Sequence, residues 1–182
     1  MQESKFGLNH KVTTQMERGR KVGHGIEIAG HFDAEIWRDG KCIHRERLKN
    51  GVTNIGKDSV LDYSFRNQTQ PTNWYVGIID TGATEAAADT MASHAGWTYV
   101  TTYDEATRPE WVTVAAASQS ISNTTTADFT FNATETLYGV FITSVNTKSG
   151  ATGILWATAA FSSEIPVISG DILKITYTVN AT

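Results

Sequence analysis

The chain has 182 residues, 40% of them hydrophobic and 10% aromatic. That excludes a wholly disordered chain and allows one domain with a substantial core, with or without a long extension. The net charge of −4 is uneven: residues 1–50 hold ten Lys and Arg against seven Asp and Glu, and residues 51–182 hold five against twelve. An acidic body argues against a nucleic-acid-binding domain, which needs a basic face.

Residues 1–24 show no steady apolar period; Phe6, Leu8, Val12, Met16 and Val22 are scattered among polar groups. Such a segment cannot bury enough surface to offset its ordering entropy alone, so it is expected to be an extended N-terminal arm that orders on a partner. Fully extended it would reach roughly 80 Å at about 3.3 Å per residue.

From Gly25 the period becomes two. Ile26 and Ile28, then Phe32, Ala34 and Ile36, alternate with polar or small neighbours up to Asp39-Gly40. That dipeptide is a strong signal for a two-residue hairpin turn, because both positions must take positive φ. A hairpin is expected over about 25–48, with Cys42 as a small buried hydrophobe on its return strand.

Residues 54–65 read as a short helix capped by Thr53 or Asn54, with Leu61 and Phe65 sharing a face at i, i+4. Trp74-Tyr75-Val76-Gly77-Ile78-Ile79 is a near-continuous apolar run, expected as a central strand buried on both faces. Residues 81–97 are loop-like, with room for one helical turn at 86–91. Strands follow at about 110–115, 118–122, 127–132, 136–143, 153–161 and 171–180, separated by turn residues such as Asn123, Lys148-Ser149-Gly150 and Ser169-Gly170. The expected fold is mainly β: an antiparallel β-sandwich, Ig-like or jelly-roll-like, over 25–182, with one short helix and the arm.

Candidate chemistry is sparse. Asp80-Thr81-Gly82-Ala83 after two Ile resembles the active-site turn of retroviral-type aspartic proteases, where two Asp share a proton. The later motif of that family is absent around Leu137-Tyr138-Gly139-Val140, so an ordinary turn at the end of a buried strand is the better reading. His10, His24, His31, His44 and His94 lack metal-ligand spacing, so no metal or other cofactor is expected. The candidate partner-binding residues are the basic groups of the arm, Lys11, Arg18, Arg20 and Lys21, which suit carboxylates or phosphates on a partner surface. Trp37, Trp74, Trp97, Trp111 and Trp156 could build a sugar-stacking platform, although Trp serves more often as a core or interface anchor.

Several segments carry a resemblance. Trp74-Tyr75-Val76-Gly77, Tyr103-Asp104-Glu105-Ala106-Thr107-Arg108-Pro109, Ala115-Ala116-Ala117-Ser118-Gln119-Ser120-Ile121, Phe129-Thr130-Phe131-Asn132-Ala133-Thr134, Tyr138-Gly139-Val140-Phe141-Ile142 and Leu155-Trp156-Ala157 resemble a group of tailed-bacteriophage virion structural proteins. The resemblance covers about three quarters of the chain, from about Asn50 onward, and implies a non-enzymatic virion component.

Combined with the arm, it leads to the expectation of a capsid decoration (cement) protein. In that reading the chain is a dimer or trimer on the capsid surface, and its arms bind the major capsid protein. Assembly in the bacterial cytoplasm is expected from the missing secretion signal, and neither a membrane nor a specific nucleic acid is expected as partner. The alternative is a head-fibre, tail or neck/adaptor protein whose arm docks into a vertex or ring. A glycan-binding module is a third reading.

Overall fold

The structure, a computed structural model, describes residues 26–82 and 85–182. Two antiparallel sheets face each other. The first contains β1 (Ile28–Arg38), β2 (Lys41–Lys49), β5 (Ser120–Ser122), β6 (Ala127–Thr130) and β9 (Ile172–Ala181), in the order β2-β1-β9, with β5 and β6 both pairing the far side of β9. The second has the order β3-β8-β7-β4, from β3 (Gly51–Val52), β8 (Leu155–Val167), β7 (Glu135–Thr143) and β4 (Tyr75–Ile79). Pairing is nested along the chain: β1 with β9, β3 with β8, β4 with β7. A mainly β sandwich with a single short helix among the described residues is thus the observed fold.

The period-two reading of the first hairpin holds residue by residue. Phe32, Ala34 and Ile36 are buried, and Asp39 and Gly40 take φ of 50° and 74° at the turn. Between the sheets these residues pack with Phe129, Leu173, Ile175 and Tyr177 against Val76, Ile78, Leu137, Val140, Ile142, Ala157 and Ala159. On the outward face β1 and β2 carry a charge ladder: Arg45 pairs with Glu35 at 2.8 Å and Arg47 with Asp33 at 2.7 Å, each directly across the register. Opposite charges placed so support the pairing.

The apolar run at β4 is buried as expected, but not as a central strand. By strand order β4 is the sheet's edge, and irregular chain closes its free side: Val76 N–H donates to Pro109 O, Val100 N–H to Ile78 O and Trp111 N–H to Trp74 O. The run is continuous because the outer face of this sheet is also covered. Ile79, Phe141 and Leu155 form a second cluster with Met91 and Trp97 from the segment that returns over the sheet. Gly77 lies directly under the Phe141 ring, where a Cβ has no room.

Other expectations are corrected. The helix α1 (Asn54–Phe65) forms where expected, with Thr53 as N-cap accepting from Gly56 N–H. Leu61 and Phe65, however, are 56% and 81% exposed. The helix instead buries Gly56 and Ser59, because its first turn abuts the Trp156 backbone, where only a small residue fits. Cys42 is exposed, since β2 is an edge strand with a register shift opposite Trp37. Residues 86–91 form a turn closed by Asp89 N–H to Ala86 O, not a helix. Residues 110–115 make isolated bridges at Glu110 and Thr113 rather than a strand. Residues 118–122 hold only the short β5, after a tight turn in which Ser118 and Gln119 both take positive φ.

A candidate aromatic ligand groove

One open groove of about 670 Å³ lies beside α1, where the ends of β1 and β9 meet the loops at 70–74 and 110–121. Its volume falls in the range of small-molecule sites, roughly 300–1,000 Å³. Tyr63 of α1, Trp74, Trp111 and Trp156 line it from four separate parts of the chain. The last three were among the Trp residues considered for a stacking platform. Trp37 and Trp97 lie elsewhere: Trp37 donates to Glu35 on the outer face of β1, and Trp97 is buried in the second cluster.

The groove tryptophans are fixed from behind by Tyr177. Trp156 Nε1 donates to Tyr177 Oη at 2.8 Å, Asn50 Nδ2 donates to the same oxygen at 2.9 Å, and Trp111 Nε1 donates to Tyr177 O at 2.9 Å. Trp74 meets Trp156 edge-on with ring centroids 6.0 Å apart. The N–H groups of Trp111 and Trp156 are spent on the protein and both residues are buried, so they form the floor of the groove, while half-buried Trp74 and Tyr63 present its more accessible ring surface. Burial pushes the Tyr177 phenol far above its usual range, and burial is also the main cause of the raised Tyr63 phenol, so both stay protonated at neutral pH.

The rim is polar and nearly uncharged. Gln70, Thr72, Asn73, Thr113, Gln119 and Ser120 border the groove, and Glu110 is the only formally charged residue in its described lining. Asn73 Nδ2 donates to Glu110 Oε2 at 3.1 Å, which orients both planar groups. A two-carboxylate hydrolytic arrangement needs a second acid, which the described lining does not contain.

The other sequence candidates fall outside this groove. Lys11, Arg18, Arg20 and Lys21 lie outside the described residues, as do His10, His24 and Ala83 of the Asp-Thr-Gly-Ala run. Of the remaining basic residues of the first fifty, Arg38 binds Asp171 through two nitrogens, and Arg45 and Arg47 are paired in the ladder. Three of the five early basic residues that the structure describes are therefore paired within the sandwich; the other two are Lys41 and Lys49. Asp80 follows β4 and accepts from Thr98 Oγ1 at 3.1 Å, in a turn held by Thr81 Oγ1 donating to Gly96 O. His94 stacks on Trp97 at 3.9 Å and bonds Tyr99 Oη, a packing role.

The Tyr103–Pro109 run is a clamp. Arg108 is fully buried, lies 4.9 Å from the Tyr99 ring centroid and 5.0 Å from that of Phe141, and donates to Val145 O, Lys148 O and Gly150 O. Burial lowers its pKa, but an Arg begins so high that the guanidinium stays charged. Glu105 accepts from Thr130 N–H and Asp104 from Asn132 Nδ2, so one short run ties the turn after β7 to the end of β6. Motif composition marks this run in the sequence; its purely architectural use appears only in the fold.

No curated protein matches the chain. The profile of the family described as Podophage GP4 fiber I protein gp80 matches residues 51–179, about 70% of the chain. The match takes in β3 through nearly all of β9, including the clamp and most of the groove, and omits β1 and β2. The chain thus belongs to the Podophage GP4 fiber I protein gp80 family and is a structural protein of a tailed-phage virion.

Proposed function

We propose that the chain is a non-enzymatic head-fibre component, whose sandwich projects from the particle while residues 1–24 anchor it. The observation that carries this reading is the match to a fibre family across the body of the sandwich. Its support is greater for a fibre than for a lattice-wide cement protein, which shares the need for anchorage but not the family description.

Anchorage by a polar, basic segment suits a partner such as the major capsid protein or a vertex ring, with Lys11, Arg18, Arg20 and Lys21 meeting acidic groups there. Ordering on the partner costs free energy, so a single segment binds modestly. A dimer or trimer multiplies it through effective concentration and slows release.

Copy number in purified virions, measured by quantitative mass spectrometry against the major capsid protein, tests the reading. A small fraction of the capsid copy number is expected. A ratio near one, or near a simple integer fraction of it, would instead assign the chain to the capsid lattice as a cement protein.

A further inference from the structure

We infer that the groove between α1 and the ends of β1 and β9 is a binding site for a neutral saccharide. This goes beyond the fibre reading and does not depend on copy number. A sugar ring presents patches of C–H on its faces and hydroxyls around its edge. Its ideal receptor sets flat aromatic surfaces within a border of planar polar groups. Half-buried Trp74 and Tyr63 supply the surfaces over a floor of buried Trp111 and Trp156, and Gln70, Asn73 with its partner Glu110, and Gln119 supply the border.

Three observations favour this ligand class. The indole N–H groups of Trp111 and Trp156 are already bonded to Tyr177, so these rings are fixed before any ligand arrives, which lowers the ordering cost of binding. The amides and hydroxyls of the border can both donate and accept, matching hydroxyls that do the same. The described lining has no Lys, Arg or His and one carboxylate, so it offers nothing to a sulfated, phosphorylated or sialylated ligand and would repel it. At about 670 Å³ the space takes a few sugar units rather than one or a long chain.

The described chain begins at the exposed Ile26, two residues before the groove residue Ile28, so the segment 1–25 is the competing occupant. The test uses the full chain on an array of neutral and anionic glycans, followed by tryptophan-fluorescence titration with the neutral oligosaccharide bound best. The expected result is retention of neutral glycans only. Asn73→Ala and Trp74→Ala each weaken binding about tenfold or more, while Trp37→Ala at the far end of β1 does not. Asn73→Ala alters only the rim, so its unchanged melting curve separates lost binding from lost folding.

Retention of no neutral glycan, preference for anionic glycans, or binding indifferent to Asn73→Ala and Trp74→Ala would each overturn the inference. So would a photoreactive residue at position 70 that crosslinks to residues 1–25 regardless of added saccharide. None of these outcomes would change the copy number, so failure here is distinguishable from failure of the fibre reading.

Discussion

Single residues set the tightest constraints. Gly77 has the Phe141 ring where a Cβ would stand, and Phe141 is itself held beneath Trp97 and Tyr99. Gly77→Ala must therefore push an aromatic ring out of a filled cluster, and a loss of about 3 kcal/mol is expected in urea unfolding. Glu85 is a second such position. Its carboxyl is pushed up to about 7, first by burial and then by the neighbouring Asp89 charge, and its Oε1 has no hydrogen-bond partner. Below about pH 4.5 the group is protonated in both folded and unfolded chains, and it costs nothing. As pH rises toward 7 the unfolded chain releases the proton first, so stability falls, and above 7 the full penalty is present. Water reaches part of this side chain, so the penalty is on the order of 1–2 kcal/mol. Glu85→Gln should raise the melting temperature at pH 8 and leave it unchanged at pH 4. The signals for both positions were absent from the sequence: Gly77 sits in an apolar run like any strand glycine, and nothing near Glu85 in the chain announces its burial.

At the scale of elements, α1 shows how local chemistry and tertiary contact divide the work. Sequence offers Thr53 or Asn54 as the cap, since either side chain can satisfy an orphan N–H, and the fold selects Thr53. In the fold it also donates to Leu155 O, tying the helix start to β8. Thr53→Ala is expected to cost about 1–2 kcal/mol, at the upper end for caps, because the same change strips the bond to β8. Equilibrium denaturation reads this directly. Leu61 and Phe65 satisfy the helical period, yet close approach to the Trp156 backbone makes Gly56 and Ser59 the buried residues instead. Similarly, β4 reads as central from its composition, yet it is an edge strand whose burial comes from loops at 98–111. An apolar run reports that both faces are covered; it does not report what covers them.

For the whole molecule, the nested pairing brings both ends of the described chain to one side of the sandwich. Glu27 and Thr182 exchange backbone hydrogen bonds, and Ile28 and Ala181 both line the groove. Removing residues 1–24 should leave the sandwich intact by circular dichroism, since β1 starts at Ile28, and should abolish attachment to particles in a sedimentation assay. Normal attachment of the shortened chain would refute arm-mediated anchorage. The hairpin β1–β2, although outside the family match, supplies Phe32, Ala34 and Ile36 to the common core, so the matched residues alone would leave β9 unpaired on one side and the core open. By itself, the sequence determined the sandwich class, the Asp39-Gly40 hairpin and the capped helix. Each of these depends on a period or a turn chemistry carried by neighbouring residues. Only the tertiary structure decided that Trp74, Trp111 and Trp156 converge while Trp37 and Trp97 do not, and that Arg108 closes a clamp. Those outcomes rest on contacts between residues tens of positions apart, and a one-dimensional pattern does not encode which distant strands will pair.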